Sequence, residues 1–147
     1  MDEQNAFPDI FSKVEHIGIA VSSLDAGNAI YAAMLGTACY KVEEVPSEGV
    51  RTAFYQVGAT KIELLEATSE DSPIAIFLQK RGPGIHHIAF AVDDIERSMD
   101  RLKTAGFVLT SDKAMPGADN KLVCFIHPRS AGGTLIELCQ EQPDPAG

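Results

Sequence analysis

The chain has 147 residues, which is enough for one compact domain or for two very small halves sharing a core. Its net charge of −9 argues against a nucleic-acid-binding protein, which needs a basic surface. No apolar run approaches the roughly 20 residues that are needed to cross a bilayer. Residues 1–5 are acidic and lack the pattern of a signal peptide, so we expect a cytoplasmic protein without nucleic-acid or membrane partners.

The first half of the chain predicts a strand, a helix and three further strands. Residues 14–21 are β-branched and apolar, which is typical of a strand. A helix is expected over residues 24–35, with Ser22 or Ser23 as its N-cap and Gly36 at its end. The apolar positions expected to form its packed face are Leu24, Ile30, Met34 and Leu35. Three strands are predicted to follow at residues 38–45, 50–58 and 60–66.

The second half predicts the same order of elements after a short connecting helix. That helix is expected over residues 72–81, begun by Ser72-Pro73 and ended by Gly82. A strand over residues 85–92 and a helix over residues 94–105 come next. The remaining predictions are strands at residues 107–110, 121–127 and 134–140, a loop at residues 115–120, and a frayed tail from Gln142.

Two segments of the chain repeat each other in order and in spacing. The segment that begins at His16 returns at His87, and Ile-Glu-Leu around Glu63 returns around Glu137. The separations are 63 − 16 = 47 and 137 − 87 = 50 positions. The sequence therefore predicts an α+β fold in which two βαβββ modules form one curved, eight-stranded mixed sheet. The expected division of the single domain, residues 1–147, is module one at about 14–67, linker helix at about 72–81 and module two at about 85–140.

A histidine on the first strand and a glutamate on the last strand recur in each module. In an alternating strand the neighbouring apolar residues face one way and the glutamate the other, so a curved sheet collects the four polar residues on its concave side. Such a cluster needs a cation to compensate its charge. Two imidazoles and two carboxylates suit a divalent ion such as Co²⁺, Ni²⁺, Mn²⁺, Fe²⁺ or Zn²⁺. The predicted metal ligands are His16, Glu63, His87 and Glu137.

Other histidines and the cysteines receive separate interpretations. His86 is expected to point to the opposite face from His87 and not to be a ligand. His127, which precedes Pro128, is left open between a role near the substrate and a purely structural one. The cysteines are expected to be small buried residues in strands without a disulfide, and they are Cys39, Cys124 and Cys139.

From about Val14 to Gln140 the chain resembles the vicinal oxygen chelate superfamily, which has the glyoxalase fold, and within it the methylmalonyl-CoA epimerase family. The most specific matching motifs are Ser72-Pro73-Ile74-Ala75, His86-His87 and His127-Pro128-Arg129-Ser130. The resemblance implies epimerisation of methylmalonyl-CoA at C2, by removal and return of a proton through a metal-stabilised enolate. It also implies a divalent metal cofactor, Co²⁺ or alternatively Ni²⁺, Mn²⁺ or Zn²⁺, an acyl-CoA partner and a homodimer.

The acid–base residues are a hypothesis of their own. Glu137 is expected to serve one face of C2, with Glu63, its repeat-related counterpart, or less favourably Glu48, serving the other. Thr52 occupies the position at which some members carry a second acid–base glutamate, and a hydroxyl cannot abstract such a proton. The residues that the resemblance implies near the CoA phosphates are Lys121, Arg129 and Ser130.

Two alternative functions stay open at this point. A lactoylglutathione lyase uses a similar His, Glu, His, Glu set, and Glu63 stands where some epimerases have glutamine. A non-catalytic ligand-binding member of the superfamily is the other alternative, although such members generally lack the full ligand set.

Overall fold

The structure is a computed structural model that describes residues 9–143. The acidic residues 1–5 and most of the predicted frayed tail lie outside the described residues. Within residues 9–143, no helix is long and apolar enough to cross a membrane.

Strands and helices follow one another in nearly the predicted order. The strands between residues 9 and 143 are β1 Lys13–Ala20, β2 Lys41–Val45, β3 Val50–Val57, β4 Thr60–Ala67, β5 Gly84–Ala91, β6 Met115–Gly117, β7 Lys121–Ile126 and β8 Ile136–Glu141. The α-helices over the same residues are α1 Leu24–Leu35, α2 Pro73–Arg81 and α3 Ile95–Thr104. Two short 3-10 turns matter for the site, and they are called the first turn, Pro46–Glu48, and the second turn, Ala118–Asn120.

All eight strands join one mixed sheet in the order β2-β3-β4-β1-β5-β8-β7-β6. The antiparallel β1–β5 pair lies at its centre, and each of these strands pairs in parallel with the last strand of its own module, β4 or β8. The sheet curves until its two edges meet, since Lys41 Nζ on β2 lies 2.6 Å from Asp119 Oδ1 in the second turn beside β6. The predicted curved, eight-stranded α+β fold is confirmed.

Each module buries its helix against the outer face of its own strands. In module one, Leu24 of α1 packs with Ile19, Tyr55 and Leu64. In module two, α3 buries another apolar cluster against β7 and β8, formed by Ile95, Met99, Leu102, Cys124, Ile126 and Leu138. Because the outer face supplies the apolar cores, the inner face is free to carry polar side chains.

The predicted apolar face of α1 is partly wrong. Ile30 and Met34 are 63% and 64% exposed, whereas Leu24 and Gly27 are buried. Gly27 sets the approach of the helix, since a Cβ on it would lie 3.0 Å from Val21 Cγ1. The helix therefore contacts the sheet through Leu24 and Gly27, with Leu35 packed beside them, whereas Ile30 and Met34 point away.

Three strand predictions are corrected. The predicted strand at residues 107–110 is wrong, since only Leu109 pairs there, through an isolated bridge to Ile126. The predicted loop at residues 115–120 contains β6 instead, an edge strand that tolerates Pro116 because edge residues can lack a paired N–H. The strand predicted from residue 38 begins at Lys41, so Cys39 lies before it.

Candidate active site

The inner face of the sheet surrounds a cavity of about 380 Å³. Apolar side chains form part of its wall, including Leu65, Ile74, Val123 and Phe125. The polar residues of the wall come from both modules and are Glu15, His16, Ser47, Glu48, Thr52, Glu63, His86, His87, Thr110, Asp119, Lys121 and Glu137. The cavity therefore combines an apolar wall with a dense set of ionisable groups.

Three of the four predicted metal ligands converge on one point. His16 Nε2 lies 3.1 Å from His87 Nε2, and Glu137 Oε1 lies 3.1 Å from His87 Nε2 and 3.5 Å from His16 Nε2. All three side chains are buried. β1, β5 and β8 are neighbours in the sheet, and each contributes one of these donors.

Glu63, the fourth predicted ligand, is buried beside the cluster on the other side of the His16 ring. Its Oε2 lies 3.1 Å from His16 Nδ1, whereas the remaining donors face Nε2. Burial raises the pKa of Glu63 to about 7, and the negative charge of Glu137 reinforces this rise against the opposing effect of His16. The repeat-related glutamates thus contact different nitrogens of the same imidazole.

Two β-bulges bring Glu15 and His86 into the site. On β1 the pairing with β5 skips Glu15, and on β5 it skips His86. A bulge interrupts the alternation of side chains, so each extra residue turns toward its neighbouring histidine. Glu15 Oε1 lies 2.8 Å from His16 Nδ1, and His86 Nδ1 lies 2.9 Å from His87 Nδ1. The prediction that His86 points to the opposite face is therefore wrong.

Glu15 was not predicted from the sequence. The available signal was a polar residue directly before each repeated histidine, in strands that are otherwise apolar. Glu15 is 5% exposed and its second oxygen, Oε2, lies 3.0 Å from Lys61 Nζ. Hydrogen bonds and charge from His16 and Lys61 outweigh the opposing effect of burial and lower the pKa of Glu15 to about 2.

Gly18 makes room for the His87 ring. The two residues are paired across the β1–β5 ladder, and a Cβ on Gly18 would lie 2.2 Å from His87 Cε1. The corresponding residue of the second module is Ala89, so Gly18 is a departure from the repeat. A glycine inside a strand often marks such a close approach.

The donor set fits a divalent metal ion. Burial alone would lower the pKa of His16, but hydrogen bonds to Glu137 and Glu15 and the charge of Glu63 raise it to about 10. Burial alone would raise the pKa of Glu137, but hydrogen bonds to both histidines lower it to about 2. The carboxylates around His16 therefore favour a positive charge at this point, which a divalent ion would supply. Glu15 contacts Nδ1, the arrangement that orients Nε2 of a histidine toward a metal.

Asp119 connects the two edges of the sheet to this cluster. Its Oδ1 and Oδ2 lie 2.6 and 2.7 Å from Lys41 Nζ and Lys61 Nζ. Its backbone N–H donates to Glu43 Oε1 at 3.0 Å. Since Lys61 also contacts Glu15, ion pairs run without interruption from the second turn to His16.

The predicted CoA-contacting residues lie in two places. Lys121 is buried in the cavity wall, whereas Arg129 and Ser130 belong to a 3-10 turn, and neither is among the described residues that line the cavity. The Ser130 hydroxyl accepts a hydrogen bond from Val108 N at 2.9 Å. The ring of His127 has a structural contact, since its Nδ1 accepts from Arg129 N at 3.2 Å.

Thr52 places an unsatisfied hydroxyl against the cavity. The residue is 1% exposed, and its Oγ1 has no hydrogen-bond partner among residues 9–143. Buried polar groups in native proteins are nearly always hydrogen-bonded, so this oxygen is available to a polar group that enters the cavity.

The cysteines are free thiols, and Cys139 lies close to the histidine cluster, with its sulfur within 4.8 Å of ligand atoms of Glu15 and His16. Cys124 and Cys139 are buried in β7 and β8, Cys39 is partly exposed, and all three are free thiols. Burial raises the pKa of Cys139, and the negative charge of Glu137 adds to the effect. A thiol held in its neutral form is a poor nucleophile.

Comparison with known proteins agrees with this architecture. Residues 15–125 match the family model of the Glyoxalase/Bleomycin resistance protein/Dioxygenase superfamily. The chain belongs to this superfamily, whose fold the two modules reproduce.

The similarity extends to one group of enzymes. The ethylmalonyl-CoA/methylmalonyl-CoA epimerase of Cereibacter sphaeroides is 43% identical over 133 residues, which are 89% of this chain and 99% of that protein. The crystal structure of methylmalonyl-CoA epimerase from Mycobacterium tuberculosis has a TM-score of 0.88 and 38% identity, over 92% of each chain. A methylmalonyl-CoA epimerase in complex with methylmalonyl-CoA and NH4⁺ has a TM-score of 0.86 and 33% identity, over 90% of this chain and 96% of that one. Within the superfamily, the chain groups with the methylmalonyl-CoA epimerases, which are isomerases.

A lactoylglutathione lyase is a more distant relative. A probable lactoylglutathione lyase of Vibrio cholerae is 24% identical over 92% of this chain and 95% of that protein.

Proposed function

We propose that the chain interconverts the two C2 epimers of methylmalonyl-CoA with a bound divalent metal ion. The observation that carries the proposal is the convergence of His16, His87 and Glu137 in the wall of one cavity. The similarity to methylmalonyl-CoA epimerases along nine-tenths of the chain supports the choice of an acyl-CoA substrate.

Four residues are proposed to hold the metal. His16, His87 and Glu137 supply the converging donors, and Glu63 supplies the fourth after a shift of its carboxylate from the Nδ1 side of His16. Such a set of nitrogen and oxygen donors accepts Co²⁺, the ion we propose, and also Ni²⁺, Mn²⁺ or Zn²⁺. A bound ion supplies Lewis-acid stabilisation of negative charge on the thioester and carboxylate oxygens of the substrate.

The residues of the chain then divide the proton transfer between two faces. Epimerisation needs one group that removes the C2 proton and another that returns a proton from the opposite side. Glu137, held between His16 and His87, is proposed to act on one face. The second group comes from module one, where the cavity wall offers Glu63 and Glu48.

The cavity wall also fits the rest of the substrate. Its apolar side chains, including Leu65 and Phe125, suit the methyl group and exclude water from C2. Lys121, a cation in the wall, is proposed to attract the anionic substrate, with Arg129 and Ser130 contacting the CoA phosphates from their turn.

Parallel assays of the purified, metal-loaded protein test the proposal. In D₂O, a single C2 epimer of methylmalonyl-CoA is expected to lose its configuration and gain deuterium at C2, as followed by NMR. Chelation should abolish this activity, and Co²⁺ should restore it. The hemithioacetal of methylglyoxal and glutathione, the substrate of the alternative lyase, should not react. Reaction of the hemithioacetal without exchange at C2 of methylmalonyl-CoA would contradict the proposal.

A homodimer and a cytoplasmic location belong to the same proposal. The exposed Ile30 and Met34 of α1 support the dimer, because they leave apolar area for a second copy to cover. Light scattering after size-exclusion chromatography should give a mass of two chains.

A further inference from the structure

We infer that Glu48 is the second acid–base group of the epimerisation and exchanges the C2 proton on the face opposite Glu137. The inference rests on the proposed function and deepens it. It assigns the role to a residue of the first turn and leaves Glu63 to the metal.

The first turn and the second turn occupy the same place in the two modules. Phe54 of β3 and Phe125 of β7 each pair with the repeated glutamate of their module, which aligns the two strands. Counting back six residues gives 54 − 6 = 48 and 125 − 6 = 119, so Glu48 corresponds to Asp119. The residues that follow support this alignment, since both have positive φ angles, 65° at Gly49 and 56° at Asn120.

The two corresponding carboxylates have opposite surroundings. Asp119 lies between Lys41 and Lys61 and makes ion pairs with both. Glu48 makes no hydrogen bond or ion pair with any residue from 9 to 143, although it lines the cavity and is only partly exposed. Its Oε1 lies 3.6 Å from the position of a Cβ on Gly117, which places the carboxylate beside the backbone of β6. The first turn thus holds a carboxylate at the cavity without using it for structure.

Glu48 is also the cavity carboxylate that is free to exchange a proton. The remaining described carboxylates of the wall contact a histidine or a lysine, and these are Glu15, Glu63, Asp119 and Glu137. Burial, reinforced by the negative charge of Glu137, raises the pKa of Glu48 to about 7. A carboxyl group that is half ionised near neutral pH serves equally well as a base and as an acid.

Glu48 and Glu137 exchange protons with opposite faces of C2. The ionised Glu137 carboxylate accepts the C2 proton of one epimer, and the electron pair of the C–H bond remains on the substrate as an enolate. The carboxylic acid of Glu48 donates a proton to the opposite face of C2, which completes the inversion. Exchange with solvent then restores both groups, and the other epimer follows the same steps in reverse.

Glu48→Gln in the metal-loaded enzyme tests the assignment, with the exposed Glu44→Gln as its matched control. Each C2 epimer is incubated separately in D₂O, and epimerisation and deuterium incorporation are followed by NMR. We expect Glu48→Gln to lose at least about 100-fold in epimerisation. One epimer should still exchange its proton with retention through Glu137, and the other should not exchange. Metal content should stay at the wild-type value, and Glu44→Gln should behave as wild type.

The experiment distinguishes failure of the Glu48 assignment from failure of the proposed function. If wild type is active and Glu48→Gln epimerises at nearly the same rate, with exchange of both epimers, the inference is overturned and the proposed function stands. An inactive wild type overturns both. Glu48→Asp keeps the carboxylate and withdraws it by one methylene, so it guards against a glutamine variant that does not fold. Glu48→Asp should slow deuterium exchange at C2 for one epimer only. Equal slowing for both epimers would count against Glu48.

Discussion

The two modules place one histidine each at the centre of the sheet but surround these histidines differently. In module one, Glu15 contacts Nδ1 of His16 and is itself ion-paired to Lys61. In module two, the residue at the corresponding bulge is His86, which contacts Nδ1 of His87. Both modules thus have the β-bulge and a contact of similar length to Nδ1, whereas the chemical group that contacts each imidazole differs.

This difference separates a charged side of the site from a neutral one. His86 packs edge-on against Phe77, with ring centroids 5.0 Å apart. Burial, helped by His87, lowers the pKa of His86 to about 4, so this ring is neutral at pH 7. Duplicated strands therefore set where the ligands lie, whereas unshared side chains decide which of them carries charge and which carboxylate is free to react.

The largest expected effect comes from adding a side chain at Gly18, where module one has a glycine and module two has Ala89. Gly18→Ala places a Cβ 2.2 Å from Cε1 of the His87 ring, so we expect a loss of about 3 kcal/mol of unfolding free energy and loss of metal binding. Denaturant unfolding and elemental analysis measure the two effects.

The repeat supplies a matched control. Ala89→Gly at the corresponding position should cost about 1 kcal/mol and keep the metal. Full metal occupancy in Gly18→Ala would show that the close approach is not needed.

The residues at the two bulges give the next test. Glu15→Gln should weaken metal binding about 30-fold, because it removes the ionised partner of His16 Nδ1. His86→Gln should weaken it about 3-fold, since a hydrogen bond from an uncharged ring is weaker than one from an ionised carboxylate. Competition with a fluorescent chelator measures both affinities, and equal losses would contradict the division into a charged and a neutral side.

The corresponding carboxylates of the two turns should respond oppositely to pH. Hydrogen bonds to Lys41 and Lys61 outweigh burial and lower the pKa of Asp119. Its stabilisation is complete above the ordinary pKa of about 4 and is lost as pH falls through the lower folded value. Asp119→Asn should therefore cost about 2 kcal/mol at pH 7, and this difference should disappear in acid.

The contribution of Glu48 to stability should depend on pH in the opposite direction. The raised pKa of Glu48, about 7, means that wild type loses stability relative to Glu48→Gln as pH rises from 4.5 to about 7. Denaturant unfolding across pH 3–8 for both variants measures the two slopes. A stabilising contribution of Glu48 at neutral pH would remove its distinction from Asp119.

The smallest expected effect concerns the unsatisfied hydroxyl. Thr52 lies two residues before Phe54, and the corresponding residue before Phe125 is Val123. Thr52→Val should raise the unfolding free energy by about 1 kcal/mol while raising KM about 5-fold, because the free protein loses an unpaired buried group that the substrate would otherwise satisfy. Val123→Thr should only destabilise. A Thr52→Val enzyme with unchanged KM would exclude contact between this hydroxyl and the substrate.

The repeat was enough to predict the fold and the convergence of His16, His87 and Glu137. Order and spacing of recurring residues survive in the sequence, and strand alternation then selects the inner face. The predictions failed where alternation itself fails. Strict alternation places the residue before each repeated histidine on the outer face, so Glu15 was missed and His86 was assigned to the wrong face, although a bulge turns both inward.

Other errors come from tertiary packing. A strand of three residues, β6, exists because β7 pairs with it, and its proline and glycine gave the pattern of a loop. The exposure of Ile30 follows from the close approach of Gly27, which no periodicity reports. Likewise, Glu63 and Glu137 are equivalent in sequence, and only the structure shows them on different nitrogens of His16.

The ion pairs of Asp119 with Lys41 and Lys61 can form only late in the synthesis of the chain. They join positions 78 and 58 residues apart, so the N-terminal lysines leave the ribosome long before their partner. Until Asp119 has been made, Glu15 is the described carboxylate that can form an ion pair with Lys61. A metal bound as proposed would therefore load after synthesis, when β8 has supplied the last donor and the second turn has joined one edge of the sheet to the other.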